Sequence, residues 1–469
     1  MKTLHLTNSW HASSGGIATF YRALIDAANL RGQEIRLVVP AEIDDVQTVG
    51  KFGRIYHIQS PLARFNRNYR TIYPSRFLRP GSVLQRILLA ERPALVEICD
   101  KYTLNYLGAL LRRQLLPALD FRPVVVGLSC ERMDDNFRTY VGAFPLSRQF
   151  CAGYMQWLYF PFFDHHIANS EYTACELREA ACGQVIPRST WIRPMGVDLE
   201  HLSPARRSPA RRLHWLQRFG ASERALLLLY VGRLVPEKNL HLLFDLLAHL
   251  AGEQHLDARL LVAGDGMERA LWEEECRVRL PGRVLFLRHI ANRNDLADLY
   301  ANCDIFVHPN PREPFGIAPL EAMASGVPLV APNTGGVTSY ASLSNAWTVP
   351  ADVQKFAAAI AEIRSDAHKT ALKVRRALEA AQSYSWKNTA SSFLDLYREL
   401  CEMRGRQAGD SPASFQSSPP AALRSAAFHA VSQAAEKAFL AGARLFLKPV
   451  ADDPDSHQPP ARVSGHFAD

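Results

Sequence analysis

The stretch DIFVHPNPREPFGIAPLEAMASGVPLVAP, residues 304–332, carries the signals of a strand, a helix and a second strand. DIFVHP (304–309) and PLVAP (328–332) are apolar on both faces, as strands buried in a sheet must be. Between them a helix is predicted over 316–325. Pro319 falls in its first turn, where a missing N–H costs little, and Gly326 stands just past its end with Pro328 beyond. A strand, a helix and a strand in this order form a parallel unit.

The same scheme runs outward in both directions. Strands are predicted at 3–7, 34–40, 53–58, 95–99, 123–129 and 165–170, and again at 225–232, 258–264 and 283–287. Helical patterns intervene at 17–31, 103–116, 238–251 and 293–302. The fold class is therefore α/β, with two doubly wound Rossmann-like domains facing a cleft. The first is predicted to span 1–196 and the second 197–385, with a helix at 386–403. The segment 195–212, crowded with Pro, Ser and Arg, marks the junction. From 404 to 469 a Ser/Pro/Gly/Gln linker, an amphipathic helix and a disordered tail are predicted.

At 469 residues the chain is too long for one ordinary core, and 48% hydrophobic with 21% charged residues is the composition of a globular protein. A net charge of +8 points to an anionic partner. Eight cysteines without CxxC pairs or zinc-like spacing indicate free thiols and no metal site. The start, MKTLHLTNSW, lacks the apolar core of a signal peptide. The longest apolar run, YMQWLYFPFF (154–163), is half of the ~20 residues that span a bilayer and reads as a core helix. A cytoplasmic protein, with room for peripheral membrane contact, is expected.

In α/β sheets, ligands bind beyond the carboxyl ends of the strands. Beyond the strand at 225–232 come GRLVPEKN and the two cations Arg233 and Lys238 at a helix start, a setting suited to a diphosphate. GDGMER (264–269) resembles only part of a dinucleotide fingerprint, which disfavours an oxidoreductase. Beyond 304–309, Glu313 and Glu321 bracket Phe315, Gly316 and Ile317, whose backbone N–H groups open the helix. Near the amino terminus, Gly15 and Gly16 precede another helix, either as a plain turn or as a place where backbone approaches an anion.

Taken together and in order, the Gly-Gly loop, ANSEYT (168–173), MGVD (195–198), GRLVPEKN, AGDG, YANCDIFVHP and the glutamate pair resemble the E-x7-E signature of the family-four retaining glycosyltransferases of GT-B fold. The similarity covers roughly residues 1–400. It implies a nucleotide-diphosphate-sugar donor in the cleft, an acceptor on the first domain, no separate cofactor and no metal. By matching position, Arg233 and Lys238 would bind the diphosphate and Glu313 with residues 315–317 the transferred sugar. Glu321 would bind the ribose, and Gly16 would meet the diphosphate from the other domain.

GLSCERMDDNF (127–137) is similar to the subgroup of bacterial GDP-mannose-dependent mannosyltransferases that act on lipid-linked acceptors, with Cys130 in place of the usual His, followed by Glu131, Arg132 and Asp134. These four are candidate sugar- or acceptor-side residues; a buried thiol beside a structural ion-pair cluster is the other reading. A second departure is Ser339, where relatives often carry Glu. Residues 51–90 hold eight Lys/Arg and no Asp or Glu, interleaved with Phe65, Tyr69, Tyr73 and Phe77. This suits an anionic membrane surface, and no nucleic-acid module accompanies it. The expected activity is transfer of a hexose, mannose from GDP-mannose, to a lipid-linked or glycan acceptor. A UDP-sugar donor and a silent sugar-nucleotide-binding scaffold remain the alternatives.

Overall fold

Burial on both faces organises two separate parallel sheets. The computed structural model describes residues 1–11, 15–63, 66–140, 142, 146–181 and 190–410. The first sheet has eight strands in the spatial order Thr190–Ile192, His165–Ala168, Val124–Ser129, Leu95–Cys99, Lys2–Thr7, Glu34–Ala41, Gly53–Gln59 and Asp45–Val49. All pair in parallel except the last, which runs antiparallel to its neighbour along the edge. The second has six parallel strands in the order Val284–Leu287, Ala258–Ala263, Leu226–Val231, Ile305–Val307, Leu329–Pro332 and Trp347–Val349.

In both sheets the order reverses beside the first strand. The switch points lie between Lys2–Thr7 and Leu95–Cys99, and between Leu226–Val231 and Ile305–Val307. A crevice opens at such a point because the connections leave toward opposite faces. Gly15 and Gly16 follow the first switch strand of one sheet; Arg233 and Lys238 follow that of the other, with Glu313 beyond its neighbour.

The chain crosses between the sheets twice, and the two crossings clasp each other. Val197 donates its N–H to Tyr384 O at 2.7 Å, and Trp386 N–H returns to Val197 O at 3.1 Å. Gly196 fits this clasp because a Cβ there would lie 2.4 Å from the Trp386 ring. Trp386 then begins a helix that runs to Asp410 and packs on the helix Gly16–Leu30. Phe20 and Phe393 meet at 4.7 Å, and Arg31 bonds Asp395 at 2.6 Å. At the centre, the fully buried Glu97 carboxylate accepts from His5 (3.0 Å), from Tyr21 (3.1 Å) and from Tyr397 of that helix.

The helix predicted over 386–403 continues to Asp410. Arg404 holds this turn against the first sheet, reaching Pro123 O at 3.4 Å and Asp164 at 3.7 Å. The remaining predicted linker, helix and tail lie outside the described residues. YMQWLYFPFF coils as a π turn and a 3₁₀ turn. It buries Met155, Tyr159, Phe162 and Phe163 under the first sheet and leaves Trp157 69% exposed. Among the described residues no helix is long and apolar enough to cross a membrane.

Tyr397→Phe removes one of three donors to a buried carboxylate. The expected loss is roughly 1.5–3 kcal/mol of unfolding free energy, the range for hydrogen bonds to charged groups, read by urea denaturation. An unchanged midpoint contradicts this role.

Candidate functional site

The second sheet builds the floor of the cleft. The helix Ile317–Ala324 starts at Gly316, whose φ of 84° few other residues adopt, so its first N–H groups are unpaired within the helix and face the crevice. Gly16, the first residue of the facing helix, lies where a Cβ would come within 2.6 Å of Ile317. Two helix N-termini thus converge from opposite domains, and both favour negative charge between them. Gly15 carries no such constraint, with open space where a Cβ would stand.

Lys238 and Glu313 meet at the switch point. Lys238 Nζ lies 2.8 Å from Oε2 and 3.0 Å from Oε1, while Asn310 Nδ2 donates to Oε2 at 3.1 Å. Burial pushes the Glu313 carboxyl up; the Lys238 charge, the nearby His308 and these hydrogen bonds outweigh it and hold the group at about 2. Glu321 lies one face along, accepting from Tyr300 OH at 2.8 Å, and burial raises its carboxyl above the ordinary value. The two glutamates therefore differ, one an ion-paired carboxylate and the other a hydrogen-bonded acid held toward its neutral form.

Arg233 reaches toward the first domain. It bonds Glu237 at 2.9 Å and the hydroxyl of Tyr69 at 3.3 Å, while Tyr140 OH donates to Glu237 at 2.7 Å. His11 stacks edge-on against Tyr69 at 4.1 Å and is held down to about 4 by burial and by Arg233. Arg312 reaches Asp135 at 3.6 Å. The cations predicted for a diphosphate are therefore both engaged by carboxylates of this chain, one of them with tyrosines of the opposite domain.

The first-domain candidates bond within their own domain. Cys130 packs against the core beside Cys99 and Glu97, and burial keeps its thiol protonated. Arg132 forks onto Asp134 at 2.7 and 2.9 Å, lies 3.7 Å from Glu179 and covers the Tyr172 ring. Glu131 accepts from Asn136 at 2.8 Å. The same segment meets the second domain through Asp135 and Tyr140. Of the basic segment, Phe77 is core and Tyr69 faces Arg233, while Arg76 and Arg86 donate to backbone carbonyls, of Gln59 and Gly81. Arg64 and Phe65 lie outside the described residues.

AGDG has a packing role: Gly264, at φ 143°, would place a Cβ 1.9 Å from Gly232 O, so two strand-end loops touch backbone to backbone. Sequence reasoning missed His308, Asn310, Glu237, Asp135, Arg312 and Tyr140. All six sit within six residues of a candidate site residue, Glu237, Arg312 and Asp135 directly beside one, but no periodicity marks a side chain that bonds across a loop. Among the described residues no three His, Cys, Asp or Glu side chains converge as a metal site.

Two Rossmann-like lobes with a charged crevice between their switch points define a GT-B architecture, and comparison with solved structures agrees. Sucrose-phosphate synthase from Thermosynechococcus elongatus matches 86% of this chain and all of its own (TM-score 0.67, 20% identity). HepE from Anabaena, solved with UDP and glucose, matches 85% and all of its own (TM-score 0.61, 21% identity). Residues 212–381 form a glycosyl transferases group 1 domain, and the protein is a glycosyltransferase. Over 405 residues it is 28% identical to the GDP-mannose-dependent alpha-(1-6)-phosphatidylinositol dimannoside mannosyltransferase of Mycobacterium tuberculosis, covering 84% of this chain and 95% of that one.

Lys238→Met strands a buried carboxylate, at an expected cost of roughly 3–5 kcal/mol near neutral pH. Because the folded carboxyl sits at about 2 against an ordinary 4.5, its contribution is whole above 4.5 and drains as pH falls toward 2. The deficit of the variant should therefore shrink on acidification, as read by urea denaturation across pH. A pH-independent deficit contradicts the pairing.

Proposed function

We propose that the protein is a retaining, metal-independent glycosyltransferase that moves mannose from GDP-mannose to a lipid-linked or glycan acceptor. The observation that carries this reading is the Lys238–Glu313 pair at the switch point of the second sheet, beneath two converging helix N-termini. In this reading the donor diphosphate draws Lys238 and Arg233 from their carboxylates and lies against the N–H groups of residues 316 and 317. Glu313 then meets a hydroxyl of the transferred sugar, and Glu321 the ribose diol. Fixed positive groups stabilise the charge that develops on the leaving diphosphate, the role a divalent ion would otherwise play. The acceptor hydroxyl attacks the face that the leaving group vacates. Its proton passes to the departing phosphate oxygen as the new glycosidic bond forms, so the anomeric configuration is kept.

The lipid-linked acceptor and the mannosyl donor rest on the mycobacterial relative, named for both. The exposed Trp157 and the guanidinium groups of Arg76 and Arg86 suit contact with an anionic membrane surface at its cytoplasmic face.

Glu313→Ala and Lys238→Ala should each lower transfer from GDP-mannose by roughly 10²–10³, the range for losing a charge-stabilising donor or its partner. The assay follows labelled mannose into a lipid extract, with UDP-sugars in parallel. Transfer from a UDP-sugar alone replaces the donor; transfer that survives both substitutions overturns the site. Retention is read from the anomeric configuration of the product by NMR.

A further inference from the structure

Glu313 has one ionisable side chain close by that it does not bond. His308 follows the strand Ile305–Val307 and is 4% exposed; its Nε2 lies 3.7 Å from Glu313 Oε2 and makes no hydrogen bond. The imidazole donates to the backbone carbonyl of Asn310. Since Nε2 is without a partner, that bond goes to Nδ1. An Nδ1–H that donates leaves a lone pair on Nε2, so this nitrogen can bond the carboxylate only once it takes up a proton.

Lys238 presently satisfies both oxygens of Glu313. In the function proposed above, on which this inference rests, the donor diphosphate takes that ammonium. A buried carboxylate stripped of its cation is strongly disfavoured, and Asn310 alone remains on Oε2. We infer that His308 is a positioning residue for donor binding: as Lys238 turns to the diphosphate, Nε2 takes a proton from solvent and closes on Glu313 Oε2. A shift of about 0.8 Å brings the pair to ordinary hydrogen-bond length. The carboxylate keeps two donors on one oxygen, and the other, Oε1, is left for a sugar hydroxyl.

The exchange also moves a proton. His308 is held down to about 4 by burial and by Lys238, against the pull of Glu313. The charged groups facing it are Glu313 of its own loop and Lys238 beyond the adjacent strand; Tyr230 and Tyr340 are the titratable hydroxyls around the same carboxylate. Departure of Lys238 removes the repulsion and leaves the attraction, so the imidazole binds protons more readily in the occupied site.

The test is calorimetric titration of the full chain and its variants with GDP and UDP, and with guanosine and uridine. His308→Leu should weaken the diphosphates roughly tenfold, the effect of losing a hydrogen bond to a charged group, and leave the nucleosides unchanged. His308→Gln, which keeps an N–H at similar reach, should recover most of the affinity. In mildly acidic buffers of differing ionisation enthalpy, the parent should take up protons on binding a diphosphate and His308→Leu should not. Diphosphate affinity equal in His308→Leu and parent, while Lys238→Ala weakens it, overturns this role alone. Lys238→Ala without effect overturns the phosphate placement and this inference with it. If His308→Leu melts early, the Gln variant and proton uptake by the parent decide: Gln binding as tightly as parent with uptake supports the role, and no uptake overturns it.

Discussion

A single buried carboxylate fixes how the two halves of this molecule meet. Glu97 sits on a central strand of the first sheet with no access to water, and it is tolerable there only because three donors surround it. Those donors come from the first strand, the helix opening at Gly16 and the long terminal helix. The element that returns from the second domain is thereby locked to the strand and helix that deliver the first domain's half of the crevice. Its apolar face adds Phe393 and Leu394 to the core beneath.

Glu313 solves the same desolvation problem differently. Its main partner is a single ammonium, with a neutral amide beside it and an unused imidazole behind. An acid held by three rigid donors serves the fold, whereas one held by a single exchangeable cation can trade partners. The same contrast separates Arg132, locked on Asp134 and the Tyr172 ring, from Arg233, shared between Glu237 and a tyrosine of the other domain.

Much of the fold was legible because parallel strands announce themselves. Strands such as LLLLYV and IFV are apolar on both faces, and the glycines and prolines around 316–328 punctuate their helix. What escaped were elements without that signature: the exposed edge strand DVQTV, the short strands at Thr190–Ile192 and Trp347–Val349, and the hairpin that carries Tyr69. Of the site, the residues tied to backbone turns could be read. The cross-domain partners could not, because Tyr140 is 97 positions from Glu237 and Asp135 far from Arg312, and nothing local encodes such distances. Cys130 was ambiguous in sequence since a small thiol suits both a site and a core; in the structure it is half-buried and packs against the core edge.

The paired crossings at Val197 and Trp386 bear on how the molecule can move. Both covalent links between the lobes pass through one spot and are bonded to each other there. Sliding one lobe sideways would shear that small ladder, whereas bending at it leaves the bonds intact. The lobes are therefore joined like the jaws of a clamp on a single pin.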